Sequence, residues 1–535
     1  MQFDSLTYPY ASRRAVTFAQ NGIVATGQHL AAQAGLSVMK NGGNAIDAAV
    51  ATAAALTVLE PNSNSIGSDA FAIVWTRGKL YGLNASGAFP QSISLDKILA
   101  AGHQTMPSAG WLPVTVPGAP AAWQALVERF GNCSLSEVLK PAITYAAEGY
   151  PVPAFIANEW QKHYQSAKTT LHEAQYESWF KTFAPLGRAP LAGEIWRSEA
   201  MAKSLRQIAE TKAKAFYQGE LAEKIDRFSR ENGGDIRLHD LAAFQPSWID
   251  PIKVAYRGFD VWELPPNGQG LVALIALGLL NGFEFPERDC VETLHRQIEA
   301  MKLAFADGQR YIADPDCMSV QISDLLSTSY LDERRKQITD SAAEPQAGNP
   351  SGSDTVYLAT ADSHGNMVSY IQSHYKPFGS FLVVPDSGIA LQNRGACASL
   401  DRSHDNVVRP GKRPYHTIIP GFLTRDGQPV GPFGVMGGFM QPQGHLQVLM
   451  NTLDFGMNPQ AALDAPRWRW DFAKNVAIEA DTPEHLIKGL LAKGHQVTIQ
   501  PKGSGFGRGQ IIWRHGADVL VAGTEPRADG AAAAY

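Results

Sequence analysis

The order of elements along the chain predicts an α+β protein in which helices cover sheets, and not a doubly wound βαβ series. Three observations carry that expectation. The chain opens on a strand, IVATG, followed by two helical runs. Residues 120–330 are dominated by helical periods broken by short strands, and beyond residue 354 hairpins prevail. With 535 residues, 44% of them hydrophobic and 18% charged, the chain has ample apolar material for a large layered core.

In HLAAQAGLSVMKNGGN, Leu30, Ala31, Ala34, Leu36 and Met39 recur at helical spacing, and Gly42-Gly43 marks the stop. A second helix is expected from Ala45 to Leu59, closed by Pro61. Its alanine-rich run AAVATAAALTVL suits a tightly packed internal helix and falls well short of the ~18 apolar residues of a membrane span. Next, NSNSIGSDAFAIVWTRGKLYGLNASG reads as a glycine-bearing loop feeding a hairpin turned at Arg77-Gly78. Helical stretches such as APAAWQALVERF and LHRQIEAMKLAFADGQRYI follow, interrupted by the strands of PIKVAYRGFDVWELP. Residues 335–354 are the most linker-like segment in the chain. After them come hairpins turned around Ser363–Asn366 and Arg425–Gln428, a helix in GHLQVLMNTLDF, and a closing strand run, GRGQIIWRHGADVLVAGTE.

Several function classes lose ground. A net charge of −5 offers no basic surface for nucleic acid or anionic membrane. The N-terminus, MQFDSLTYPYASRRAVTF, has no apolar core and no cleavage signal, so a cytoplasmic location is expected. Cys133, Cys290, Cys317 and Cys397 form no CxxC pair, which argues for ordinary buried thiols and against a disulfide framework or a zinc knot. No GxGxxG follows a strand, and GxxxxGK[ST], HExxH and GxSxG are absent. His172-Glu173 begins a zinc motif that Gln175-Tyr176 do not complete, and the fourteen histidines show no ligand spacing. Neither a metal nor an organic cofactor is expected.

One junction stands out. The loop TDSAAEPQAGNPSGSD runs directly into the strand VYLATAD, and the residue at the junction is Thr355. Threonine is an ordinary first residue of a strand, which is one reading. The other is an N-terminal nucleophile. Scission between Asp354 and Thr355 would give Thr355 a free α-amino group, with a pKa near ~8, beside its own hydroxyl. Such a residue carries its own base and needs no histidine.

The surrounding residues bear a resemblance that covers nearly the whole chain. In the first half they are GLSVMKNGGNAIDAAVATAAAL, EPNSNSIGSDAF, VPGAPAAW, PAITYAAEGYPV, AFYQG, YRGFDVWELPPNGQG and EAMKLAFADGQRYIADP. In the second they are DTVYLATADSHGNMVSY, SGIALQNRGA, PGKRPYHTIIP, VMGGFMQPQGHLQ and NPQAALDAPRW. In this order and spacing the chain resembles the γ-glutamyltranspeptidase family of N-terminal-nucleophile hydrolases. The resemblance implies a four-layer αββα sandwich and a proenzyme that cuts itself into residues 1–354 and 355–535. The two fragments would stay together as a heterodimer, alone or as a dimer of heterodimers. Thr355 matches the family nucleophile, and Ser373 falls where the family places a hydroxyl that hydrogen-bonds it; an ordinary strand serine is the alternative. Gly437-Gly438 match the pair whose N–H groups bind the oxyanion, a tight turn being the alternative.

The sequence departs from the family at the amino-acid clamp. The arginine that grips the substrate carboxylate in the first half has no counterpart in LYGLNASGAFP, and no arginine lies between Arg77 and Arg129. The acidic ligand of the substrate ammonium is replaced by QNRGACASLD, and paired serines become His416-Thr417. Arg394 therefore stands where a positive charge is received in the family. A buried guanidinium binds carboxylates bidentately and repels ammonium groups; alternatively Arg394 pairs with an internal carboxylate such as Asp401. The first reading, with His416 and Thr417 adding hydrogen bonds, implies a small anionic amide without an α-amino group. The pattern QNRGA with GKRPYHT resembles the branch that converts oxamate to oxalate and ammonia in uric acid and ureide degradation. Rivals are a cephalosporin or glutaryl acylase, a γ-glutamyl hydrolase, and a non-catalytic binding protein that keeps the fold.

Overall fold

A strand that is apolar on both faces is satisfied only when it is covered on both sides. Val356–Asp362 is such a strand, with every residue buried. Val356 and Leu358 join an apolar cluster beneath helices, whereas Tyr357, Ala359 and Ala361 join a second cluster on the opposite face. The computed structural model describes residues 14–345 and 355–535, and it places this strand at the centre of the inner layers.

The first sheet runs Ala531–Ala534, Gly22–Thr26, Val356–Asp362, Met367–Ser373, Asp69–Thr76, Lys79–Ala85 and Ser247–Ile249, with every neighbouring pair antiparallel. The second runs Thr17–Ala19, Leu520–Thr524, Arg508–Arg514, Gln428–Met436, Gly421–Arg425, Phe259–Glu263 and Ile252–Tyr256, also antiparallel throughout. The two sheets face each other through Phe71, Ile73, Tyr357, Ile371, Phe422 and Ile512 among others. Each sheet takes strands from both sides of residue 354, so the described residues before and after that point build the same two sheets.

Helices close both outer faces, which completes the expected four-layer αββα sandwich. Ala45–Leu59 lies on the first sheet with all fifteen residues buried, as its alanine content requires. It starts at a capping box in which Asn44 Oδ1 accepts from the Asp47 N–H and Asp47 Oδ2 accepts from the Asn44 N–H. Asp362, at the end of the central strand, accepts a further bond from the Ala45 N–H at 2.8 Å. On the second sheet lie Gly270–Leu280, buried along its whole length, and Met440–Leu453, with Val291–Tyr311 packed against them. The hairpins turn where the sequence places them: Arg77-Gly78 and Asp426-Gly427 both hold positive φ at the two central positions, the geometry that matches strand twist.

Two features differ from the sequence reading. A separate three-stranded sheet, Trp468–Phe472, Asn475–Glu479 and Gln496–Gln500, has a parallel pair crossed over by the helix Glu484–Ala492. The strand QVTIQ is largely exposed and gives no strong alternation to read. The four cysteines are free, as expected, but half-buried instead of buried. Among the described residues no helix is long and apolar enough to cross a membrane.

The described start of the linker is pinned to the core. His295 Nε2 donates to Thr339 O at 2.7 Å, which leaves Nδ1 to accept from His495 Nε2 at 2.9 Å. Lys302 Nζ donates to Glu299 Oε1 at 2.7 Å and to Ala343 O at 3.0 Å. His295, Glu299 and His495 thus converge across 200 positions of sequence, which is why no ligand spacing shows in the chain. The Lys302 ammonium already sits on the carboxylate of that group.

Candidate active site

Strand register places a row of side chains at one end of the first sheet. Val356 pairs with Gln372, so Thr355 stands beside Ser373, and Ser373 pairs with Asp69 on the next strand. Side chains alternate along a strand, and Thr355, Ser373 and Asp69 share the parity of Tyr357, Ile371 and Phe71, which face the second sheet. All three are fully buried. Thr355 Oγ1 donates to Ser373 Oγ at 3.0 Å, and Ser373 Oγ accepts from the Tyr375 N–H at 2.8 Å. Asp354, the other half of the expected cleavage site, lies outside the described residues.

Tyr375 holds a left-handed φ of 78°, a conformation costing a side-chain-bearing residue about 1–2 kcal/mol. That backbone serves two contacts: its N–H reaches Ser373, and its ring lies under Arg394, whose Cζ is 4.6 Å from the ring centre. Arg394 opens a short turn, Arg394–Cys397, and is completely buried. Its Nη1 donates to Thr417 Oγ1 at 2.7 Å and approaches Cys397 Sγ at 3.8 Å. Its Nε and Nη2 have no hydrogen-bond partner among the described residues. The ion pair with Asp401 does not form: Asp401 is exposed and accepts from Ser403 instead.

His416, read from the sequence as a substrate ligand, uses both ring nitrogens within the protein. Nε2 donates to Asp69 Oδ2 at 3.1 Å, and Nδ1 accepts from the Ile418 N–H at 3.3 Å. Burial, and after it the charge of Arg394, holds the imidazole well below its ordinary pKa and therefore neutral. Burial raises the Asp69 carboxyl to about 7, against the pull of Arg394. Asp69 was not among the residues read from the sequence; its only signal was an acidic residue in the glycine- and serine-rich segment NSIGSDAF at the start of a strand.

The sign of the Asp69 shift gives a prediction. Its folded pKa lies above the unfolded value of 3.8, so this group stabilises the fold fully below about pH 4, and the contribution is lost as pH rises through 7. Asp69→Asn is therefore expected to flatten the dependence of Tm on pH between 4 and 7 relative to wild type, as thermal melts across that window would register.

Gln269 ties the remaining parts together. Its Nε2 donates to Thr417 O at 2.7 Å and to Gly438 O at 2.8 Å. Gly437 and Gly438 hold φ of 133° and 59°, and a Cβ on Gly437 would meet Gly507 Cα at 3.1 Å. Neither N–H of the pair donates to another group among the described residues, and the helix Met440–Leu453 begins just beyond them. Unspent N–H groups at a helix start suit a developing negative charge. Contacts thus run unbroken from Thr355 through Ser373, Tyr375, Arg394, Thr417 and Gln269 to Gly438.

Known proteins share this architecture. The gamma-glutamyltranspeptidase family model matches residues 31–535. The chain is 34% identical to the glutathione hydrolase-like YwrD proenzyme of Bacillus subtilis, over 95% of this chain and 98% of that protein. It is also 34% identical to the oxamate amidohydrolase proenzyme of Klebsiella pneumoniae, over 96% and 98% respectively. The crystal structure of a cephalosporin acylase from Bacillus halodurans superposes with a TM-score of 0.97 at 57% identity, covering 100% of this chain and 99% of that one. By its sequence over nearly its whole length and by its sandwich, the chain belongs to the gamma-glutamyltranspeptidase family, a family of amide-bond hydrolases.

Proposed function

We propose that the chain cleaves itself before Thr355 and then hydrolyses a small amide whose acyl side carries a carboxylate, oxamate being the favoured substrate. The observation that carries this reading is the unpartnered Nε/Nη2 edge of a fully buried arginine, joined to the Thr355 hydroxyl through two residues. A buried guanidinium edge without a partner is costly unless a ligand completes it, and a planar carboxylate fits it with two parallel bonds.

The cycle is acyl transfer. The free amine of Thr355 takes the proton of its own Oγ1, directly or through one water, and Oγ1 attacks the amide carbon. The N–H groups of Gly437 and Gly438 stabilise the oxyanion, each donor typically worth ~3 kcal/mol. The C–N bond breaks, ammonia leaves with the proton, and water cleaves the resulting ester, returning Thr355 and a dicarboxylate. Ser373 orients the hydroxyl. Processing uses the same hydroxyl against the peptide bond after Asp354, and the two fragments remain joined through both sheets.

A second reading has its own support. The 57% identity with a cephalosporin acylase favours a larger acyl amide, and a glutaryl amide is the probe for it. Ammonia or amine release from oxamate, a glutaryl amide and a γ-glutamyl anilide, assayed side by side, separates the cases. Oxamate is expected to give the highest kcat/KM. Turnover of the anilide or the glutaryl amide with oxamate untouched removes the oxamate reading, and turnover of none removes all three substrate readings.

A further inference from the structure

Asp69 and Arg394 are a buried carboxyl and a buried guanidinium at the same end of the sandwich, and no hydrogen bond or ion pair joins them among the described residues. Each bears on the other electrostatically: the guanidinium is the strongest influence drawing the Asp69 carboxyl back toward its charged form. The guanidinium keeps an unused edge, Nε with Nη2, whereas the amides of Gly87 and Gly118 bear on the Asp69 carboxyl. In a low-dielectric interior opposite charges that bear on each other gain by closing to contact. Something must hold them apart.

Two consecutive residues bond one to each. His416 Nε2 holds Asp69 by Oδ2, and the ring is fixed from behind by the Ile418 N–H. Thr417 Oγ1 holds Arg394 by Nη1, while the Tyr375 ring supports the guanidinium plane. The segment itself is anchored through Thr417 O to Gln269 and through the His416 backbone to Asn267 and Gln269. The other groups facing Asp69 are the amides of Gly87 and Gly118, the Arg413 side chain and the Tyr217 phenol. None of them occupies the Nε/Nη2 edge of Arg394.

We propose that His416-Thr417 is a spacer that keeps Asp69 off Arg394, so that Asp69 neutralises the empty pocket from a distance while the guanidinium edge stays open for the substrate carboxylate. This rests on the reading of Arg394 as the carboxylate receptor. His416 and Asp69 are then positioning residues that act on specificity through Arg394.

The test is a double-mutant cycle on the processed enzyme, using whichever carboxylated amide it turns over, with oxalate as a competing anion. His416→Phe keeps a ring but removes the Nε2–H, so Asp69 closes onto Arg394. KM is expected to rise at least tenfold, more than kcat falls. Adding Asp69→Asn to His416→Phe is expected to bring KM back to that of Asp69→Asn alone, and His416→Gln, which keeps a donor, to restore most of the affinity. Asp69→Asn by itself removes the distant negative charge and is expected to lower the inhibition constant of oxalate several-fold. Equal effects of His416→Phe with and without Asp69, or weaker oxalate binding by Asp69→Asn, would overturn the spacer. Should His416→Phe not fold, the oxalate result on Asp69→Asn decides alone. If no carboxylated amide is turned over and oxalate does not compete, the receptor reading fails and the spacer with it.

Discussion

Thr355→Ala is expected to remain one polypeptide where the wild type separates into residues 1–354 and 355–535 on a denaturing gel, and to release no ammonia from oxamate. Removing a nucleophile costs a hydrolase on the order of 10⁶-fold in turnover, so the residual rate should be undetectable. The substitution is a clean one because its structural cost is small. It deletes a hydroxyl with its 3.0 Å bond to Ser373, worth about 1 kcal/mol, and a buried methyl, worth about 1 kcal/mol more, while the strand Val356–Asp362 keeps both its neighbours. The variant should therefore melt as a folded protein, and intact mass spectrometry should find a single species. Thr355→Ser, which keeps a hydroxyl beside the future amine, is expected to process and to retain measurable activity. A single-chain protein that turns over substrate at the wild-type rate would end the nucleophile assignment.

The fold was legible because its inner strands and buried helices write their environment into composition. VYLATAD and MVSYIQS are apolar on both faces and are central strands; GLVALIALGLL and AIDAAVATAAALTVL are apolar all round and are buried helices. The hairpin turns were legible because each carries a glycine at a positive-φ position, Gly78, Gly365 and Gly427. The site was legible in part. Ser373 was read from the family resemblance, and the hairpin register sets its hydroxyl 3.0 Å from that of Thr355. The surroundings of Arg394 could not be read: Asp401 is seven positions away but faces solvent, whereas the hydroxyl that Arg394 donates to, that of Thr417, lies 23 positions on. His416 carried no sign that its ring was committed to Asp69, since that contact joins positions 347 apart. Long-range pairing of buried polar groups has no local signature, and the cluster of His295 with His495 escaped the sequence for the same reason.

Arg394→Met should move activity and stability in opposite directions. The guanidinium is buried without an ion pair, with two nitrogens unpartnered, and a buried charge in that condition weighs against the fold. Replacing it by an apolar side chain of similar reach forfeits the bond to Thr417 but removes that burden, so Tm is expected to hold or rise. Substrate affinity should collapse, because two charge-assisted bonds of about 1.5–3 kcal/mol each are lost, or roughly 10²–10⁴-fold in kcat/KM for a carboxylated amide. Arg394→Lys should recover little of this, since an ammonium presents a point charge where a flat two-pronged donor is needed. Self-processing provides the internal contrast. The peptide bond before Thr355 needs the hydroxyl and the oxyanion donors but no carboxylate clamp, so Arg394→Met is expected to mature normally while failing as a catalyst. A variant that matures and keeps its KM would show that the open edge serves something other than the substrate, and one that fails to mature would place Arg394 in the cleavage step itself.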